Sequence, residues 1–147
     1  ASPGFDGVIC QPGATTTWAR ISAQEICHFA CFPTGDLLDH LSPRNGGTTG
    51  DTGFDAALDA ALAQPHRAYG RLATTTSRAE LAGLLIGLEL AAAKPYWLGE
   101  RVVVLGDPAL MPLYARALTT QGVQAATGNA EAALLAGLYA AFQTVAG

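Results

Sequence analysis

Residues 101–110 (RVVVLGDPAL) constrain the fold more than any other segment of the chain. Their run of valines and leucine predicts a strand that is covered on both faces, as in parallel sheets. Gly106 ends the strand, and Asp107 and Pro108 suit the start of a helix over residues 109–120, since Asp accepts hydrogen bonds from free amides and Pro has no N–H to leave unpaired. Ligands of α/β proteins collect where such strands end, so this turn is a candidate small-molecule site, although a plain tight turn explains the same residues.

Length and composition predict one globular domain over residues 1–147. Half of the 147 residues are apolar and 14% are charged, which excludes a largely disordered chain. The net charge is −4 and Lys and Arg form no cluster, so we expect no nucleic-acid partner. Uncharged apolar runs fall far short of the ~18 residues that cross a bilayer, so we expect no membrane partner. Three cysteines without a Cys-x-x-Cys spacing predict buried thiols in a reducing cytoplasm.

The remaining patterns predict three strands, a helical block, and then a strand, a helix, a strand and a helix. The predicted strands cover residues 5–10, 16–21, 26–32, 102–105 and 123–126, and the predicted helices cover 34–41, 52–63, 78–94, 109–120 and 129–145, with a loop over 42–50. An antiparallel meander followed by βα crossover units is the plan of the ribonuclease H-like fold, the half-unit of actin- and hexokinase-type ATPases. We therefore expect an α/β domain with a mixed sheet of about five strands and helices on both faces.

The helix after residue 77 has the strongest pattern in the chain. Residues 77–80 (SRAE) form a capping box, which predicts its start. Gly83 and Gly87 lie four residues apart, so another element can pack closely there. Glu89 is expected to point outward or to meet Lys94. A buried stripe at helical spacing is formed by Leu81, Leu84, Leu85 and Leu88.

Two further segments are candidate anion sites. The turn over residues 11–15 contains Gly13, which frees the backbone to present several N–H groups to one phosphate, and the threonines that follow add hydroxyl donors. Threonine is also a common strand residue, so a plain hairpin explains the same pattern. Thr34, Gly35 and Asp36 open a helix that could face an anion or a hydroxyl, although helix capping accounts for these residues as well.

Metal chemistry finds little support in the sequence. A two-metal nuclease of the ribonuclease H type needs a carboxylate in the middle of its first strand, where this chain has only Asp6 at the start. The strand at Val102 carries no acid before Asp107, and the three histidines lack metal-ligand spacing. We therefore predict no metal site formed by protein side chains alone.

Four parts of the chain together resemble the 2-keto-3-deoxygalactonokinase (2-dehydro-3-deoxygalactonokinase) family. Residues 81–90 (LAGLLIGLEL) are similar to the family helix LSGLLIGAEL. Residues 105–110 (LGDPAL) and 114–118 (YARAL) resemble the strand, turn and helix at the family's nucleotide end. Residues 12–18 (PGATTTW) are similar to the family hairpin PGTHxKW, and residues 32–37 (FPTGDL) to its FxTGEL segment. The matches follow the family order and span nearly the whole chain.

The resemblance implies an ATP-dependent kinase that phosphorylates the 6-hydroxyl of 2-keto-3-deoxygalactonate, with ATP and Mg²⁺ bound between two lobes. This chain matches the C-terminal lobe, so the resemblance implies a separate N-terminal lobe as partner and an isolated chain that is inactive. We also expect an exposed apolar strip where that lobe would dock, and with it self-association. The implied nucleotide-site residues are Gly13, Ala14, Thr15, Thr16, Thr34, Gly35, Asp36, Gly106 and Asp107.

The chain departs from the family pattern at three positions. Thr17 stands where the family has Lys, Asp36 replaces Glu, and Leu113 stands where Arg is usual before Tyr114. Phosphoryl transfer depends on neutralising developing charge, so the missing lysine leaves a second hypothesis open. In that alternative the chain is a non-catalytic ribonuclease H-like binding or assembly module that has lost kinase chemistry.

Overall fold

The computed structural model describes residues 6–23, 25–42 and 53–127. The chain divides into two compact units: Ala1–Cys31 with Pro95–Gly147, and Phe32–Lys94. The helix predicted over 129–145 and nearly all of the loop predicted over 42–50 lie outside the described residues. None of the described helices combines the length and the hydrophobicity that crossing a bilayer takes.

The first unit is built on a mixed five-stranded sheet, which confirms the predicted α/β class and strand number. Its strands are β1 (Gly7–Gln11), β2 (Thr16–Ser22), β3 (Glu25–Phe32), β4 (Val102–Val104) and β5 (Ala125–Ala126). They lie in the order β3-β2-β1-β4-β5. β1 is antiparallel to β2 and parallel to β4, and β4 is parallel to β5. The opening meander therefore adjoins the strand at Val102, as the predicted plan requires.

Branched apolar side chains hold the middle of this sheet together. Ile9, Ile21, Val103 and Leu105 form one buried cluster, with Ala19 and Ile26 packed against it. All three valines of β4 are buried, as predicted for a strand covered on both faces. β4 leads into helix α6 (Met111–Thr120). This helix starts two residues later than predicted, because the amides of Leu110 and Met111 bond the Asp107 carbonyl in a turn that precedes it.

Strand β3 corrects the prediction for two cysteines. Cys10 is buried in β1, but Cys27 and Cys31 are exposed on β3. The apolar composition of β3 predicts burial, yet the strand lies at the end of the sheet order. An edge strand has a neighbour on one side only, so an apolar side chain there need not be covered.

The second unit is helical, with α1 (Thr34–Leu41), α2 (Phe54–Ala63), α3 (Pro65–Arg71) and α4 (Arg78–Ala92) in order, followed by the short α5 (Lys94–Trp97) at the boundary. The predicted start of α4 at Ser77 is confirmed, since the Glu80 amide donates to Ser77 Oγ at 3.3 Å, which is one of the two hydrogen bonds of a capping box. A core of small and branched side chains is formed by Ala57, Ala61, Ala68 and Leu84, with Leu72 and Leu88 against it. Helix α3 falls in a segment for which the sequence patterns predict no element.

Glycines bring α2 and α4 into close contact, as their spacing predicts. A Cβ added at Gly83 would lie 2.4 Å from the Phe54 carbonyl oxygen, and one at Gly87 would lie 2.6 Å from Ala61 Cβ. The predicted stripe on α4 is too narrow, however. From Leu81 to Leu90 every residue except Leu88 is buried, so this helix is covered nearly all round.

Candidate functional site

Two turns of the first unit meet at one edge of its sheet: the hairpin turn (residues 12–16) after β1 and the glycine turn (residues 105–107) after β4. Cys10 pairs with Val104 in the parallel register, so both strands end at the same level. The Leu105 amide donates to the Cys10 carbonyl at 2.9 Å, and the Asp107 amide donates to the Pro12 carbonyl at 2.9 Å. The backbone itself therefore joins the two turns that the sequence proposes separately.

Gly106 makes this approach possible because it has no side chain. A Cβ at this position would lie 2.3 Å from the Pro12 carbonyl oxygen and 3.1 Å from its nitrogen. Its φ of +150° also lies in a region that residues with a side chain rarely adopt. The glycine turn can contact the hairpin turn only with glycine at its centre.

Asp107 stabilises the turn between β4 and α6 through a side-chain hydrogen bond. Its Oδ1 accepts a hydrogen bond of 2.9 Å from the Ala109 amide, as the sequence predicts, although Ala109 lies in the turn before the helix rather than in its first turn. Gly106 and Asp107 are both exposed, so a ligand could reach their backbone. This is the carboxyl edge where α/β sheets bind small molecules.

The hairpin turn is exposed at its tip and buries one threonine. Ala14 and Thr15 are exposed and Gly13 is partly exposed, whereas Thr16 is fully buried. Thr16 Oγ1 shares a hydrogen bond of 2.9 Å with the buried Tyr114 hydroxyl on α6. The Thr16 hydroxyl thus faces the interior, and this pair ties the hairpin turn to the helix that follows the glycine turn.

Unlike Gly106, Gly13 occupies a position where the structure has room for a side chain. An added Cβ at Gly13 would lie 3.4 Å from the Thr15 carbonyl oxygen, which is an ordinary contact. Its φ is not positive. The fold of the hairpin turn would therefore accept alanine at Gly13, and any need for glycine there would come from a ligand that approaches the turn.

The third group of predicted residues lies in the second unit, at the start of α1. Thr34 and Gly35 are buried and Asp36 is exposed. Pro33 takes the cap position with no side-chain cap hydrogen bond. Thr34 instead donates its hydroxyl hydrogen bond to the carboxylate of Glu89 on α4.

Glu89 and Tyr114 are the polar residues whose place the sequence does not predict. Glu89 is 3% exposed, which contradicts the expectation that it points outward or meets Lys94. An acidic residue within the apolar run of α4 is a signal for a buried partner, but nothing in the local pattern identifies Thr34 as that partner. Tyr114 lies at an interior position of α6 and looks in the sequence like any other core aromatic residue.

The remaining polar residues of the candidate region make local contacts. Within residues 6–23, 25–42 and 53–127 no group of three or more His, Cys, Asp and Glu could hold a metal ion. Asp6, just before β1, accepts a 2.9 Å hydrogen bond at Oδ1 from the amide of Ala23 in the β2–β3 turn. Thr17, which replaces the family lysine, lies on β2 with its Oγ1 3.7 Å from Cys31 Sγ.

Comparison with known proteins identifies one consistent group of relatives. Residues 1–141 match the sequence pattern of the 2-keto-3-deoxy-galactonokinase family. A Rhizobium meliloti (strain 1021) protein assigned as a 2-dehydro-3-deoxygalactonokinase is 28% identical over 161 aligned residues, which cover 94% of this chain and 53% of that protein. A Sinorhizobium meliloti crystal structure with the same assignment is similar with a TM-score of 0.72 and 28% identity, over 99% of this chain and 56% of that one. This chain therefore spans about half the length of the relatives that it matches.

Proposed function

The chain belongs to the 2-keto-3-deoxy-galactonokinase family, and on that premise we propose that it forms the nucleotide-side, C-terminal lobe of a sugar-acid kinase. In the proposed reaction the 6-hydroxyl oxygen of 2-keto-3-deoxygalactonate bonds to the γ-phosphorus of ATP. The bond from that phosphorus to the bridging oxygen breaks, ADP leaves and the hydroxyl loses its proton. The observation that carries the proposal is the hydrogen-bonded contact between the hairpin turn and the glycine turn at one carboxyl edge of the sheet.

The sheet supports a more specific fold assignment. Its order β3-β2-β1-β4-β5, with β1 antiparallel to β2 and parallel to β4, and β4 parallel to β5, agrees with a ribonuclease H-like lobe of the actin and hexokinase type. We propose that the β1–β2 hairpin and the turn after β4 face the same nucleotide. The joined turns of this chain are consistent with that arrangement.

Each turn has a proposed role in binding ATP. The backbone amides of Gly13, Ala14 and Thr15 are proposed to donate to phosphate oxygens, since these residues are exposed or partly exposed and consecutive N–H groups in a turn form anion-binding concavities. Thr16 would contribute its backbone only, because its hydroxyl bonds Tyr114. Gly106 and Asp107 would lie against the adenosine.

We propose that the cleft between this lobe and the N-terminal lobe is lined by Thr34, Gly35 and Asp36. Glu89 would hold Thr34 in place through their hydrogen bond. Bound Mg²⁺ would supply charge neutralisation at the phosphates. We propose that Mg²⁺ arrives with the nucleotide, whose phosphate oxygens are among its ligands.

The partners that follow are ATP, a 2-keto-3-deoxy sugar acid and a complementary N-terminal lobe. The relatives are about twice as long as this chain, which supports a second lobe. We propose a cytoplasmic location, where thiols persist, because all three cysteines are thiols and two of them are exposed.

Substitution of Gly13 by alanine tests the phosphate contact separately from folding. A methyl group fits the hairpin turn, so Gly13→Ala should leave thermal unfolding unchanged. The same methyl would hold a phosphate away from the amides, so affinity for Mg·ATP should fall at least about tenfold, or about 1.4 kcal/mol. Calorimetric titration of the chain measures this. Gly70→Ala is the matched control, because Gly70 has open space around it on α3 and should not affect binding. Equal affinity of Gly13→Ala and the parent chain would contradict the proposed contact.

A second experiment tests the lobe itself. We expect no ADP formation by this chain alone, and ADP formation that depends on the sugar acid once the complementary lobe of a relative is added. ADP formation by this chain alone would contradict the lobe assignment. Thr17 lies beside Cys31 where the family has lysine, and this observation favours the alternative of a non-catalytic binding module. Failure of the parent chain to bind millimolar Mg·ATP, with or without the added lobe, would favour that alternative.

A further inference from the structure

Among the described strands, β3 has no neighbour on its outer side, and its sequence gives that edge little protection against pairing. It is eight residues long and lies at the end of the sheet order, and five of its eight residues are exposed. Phe29, at its centre, is 58% exposed. Edge strands are usually protected by lysine, proline or short length, because their outward N–H and C=O groups can pair with another strand. β3 contains no lysine or proline, and Glu25 at its start is its only acidic residue.

We propose that β3 pairs with β3 of a second copy of this chain, antiparallel and centred on Phe29, to form a two-fold symmetric dimer. The strand is nearly palindromic about that residue, since Cys27 and Cys31 lie two positions to either side. In the proposed register Phe29 faces Phe29 of the other copy, and Cys27 faces Cys31. Successive side chains alternate between the faces of a sheet, so these residues share one face with Phe29.

Charge favours the antiparallel arrangement. A parallel, in-register pair would place Glu25 directly beside its own copy, which is unfavourable. In the antiparallel register the two Glu25 residues lie at opposite ends of the ladder, eight positions or about 27 Å apart. That separation exceeds the screening length of about 8 Å at physiological salt, so their repulsion is negligible.

The size of the contact sets its strength. One eight-residue ladder is about 27 Å long and involves a single strand of each copy, so we expect it to bury less than the ~1,200–2,000 Å² of a standard stable interface. The dimer should therefore be reversible and dependent on protein concentration. This surface is independent of the two turns proposed to bind ATP, so the dimer and the kinase role can fail separately.

Disulfide trapping tests the register. Cys27→Ser keeps only the Cys31 thiol on β3, and Cys31→Ser keeps only that of Cys27, with Cys10 buried in both. A mild diazene oxidant takes two protons and two electrons from a pair of facing thiols as the S–S bond forms. We expect cross-linked dimer when the two variants are mixed and none from either alone, because two Cys27 residues would lie about 14 Å apart. The double variant controls for Cys10. Cross-linking of either single variant alone as readily as the mixture would overturn the proposed register.

Sedimentation equilibrium tests the proposed β3 dimer without cross-linking. Phe29→Lys should raise the dissociation constant at least about tenfold, since it places two lysines opposite each other at the centre of the ladder. Tyr69→Lys is the control, because Tyr69 is 76% exposed on α3 and should leave association unchanged. A parent chain that stays monomeric at every concentration, or an equal loss of dimer in Tyr69→Lys, would overturn the proposal. If Phe29→Lys fails to fold, the trapping experiment decides alone.

Discussion

Replacement of Gly106 by alanine should be among the most damaging single-methyl changes in the first unit. The added Cβ would lie 2.3 Å from the Pro12 carbonyl oxygen, and its near neighbours are all backbone atoms of Pro12. A flexible side chain could move away, but these atoms belong to the hairpin turn itself. The carbonyl also accepts the Asp107 amide hydrogen bond, so relief of the clash would break the contact that joins the two turns.

The expected loss follows from three connected effects. A residue with a side chain at a φ of +150° costs about 1–3 kcal/mol. Forcing a methyl group into packed backbone costs about 1–3 kcal/mol, and losing the hydrogen bond costs about 0.5–1.5 kcal/mol. Movement that relieves one effect partly relieves the others, so we expect a total of about 3 kcal/mol. In a chain of this size that lowers the melting temperature by about 6–12 °C.

Thermal and urea unfolding of Gly106→Ala and Gly70→Ala measure this loss against a matched control. The chemical change is the same, but nothing lies within 4 Å of a Cβ at Gly70. Gly70→Ala on exposed α3 should be neutral or stabilising by up to about 1 kcal/mol. A Gly106→Ala chain whose free energy of unfolding is within about 0.5 kcal/mol of the parent would refute the reasoning, since ordinary surface changes are of that size.

Two buried hydroxyl groups give further predictions, both measured by urea unfolding. Tyr114→Phe should lower the free energy of unfolding by about 1–2 kcal/mol, because it leaves the buried Thr16 hydroxyl without this partner. Tyr69→Phe at an exposed position should lower it by almost nothing. Equal effects would contradict the inferred hydrogen bond. Thr34→Val should lower the free energy of unfolding by about 1–3 kcal/mol, because it removes a donor to the buried carboxylate on α4. Thr119→Val on the exposed surface of α6 is its control. Equal losses in the two variants would count against a stabilising role for the Thr34 hydrogen bond.

Patterns of neighbouring residues in the sequence predict much of the candidate site. The glycine turn is recognisable because a buried strand, a glycine and an aspartate follow one another directly, and each acts on its neighbours. The N-cap at Ser77 is equally local, and the structure confirms it. The helix after β4 starts later than predicted because hydrogen bonds to the Asp107 carbonyl form a turn first, a choice that composition does not reveal.

Polar partners far apart in sequence could not be predicted in this way. Thr16 and Tyr114 are 98 positions apart, and Thr34 and Glu89 are 55 apart. No sequence spacing predicts either pair, because the packing of whole helices and strands brings the two residues together. The same limit explains the error at Glu89, whose burial depends on what covers α4.

The sequence by itself determined the type and order of most elements, the two turns and the family resemblance, because these depend on residues close together in the chain. Only the tertiary structure decided which turns meet, which hydroxyl groups are buried, and that β3 is exposed. β3 is as apolar as a buried strand, but burial depends on neighbours, and at the end of the sheet order it has only one neighbour among the described strands.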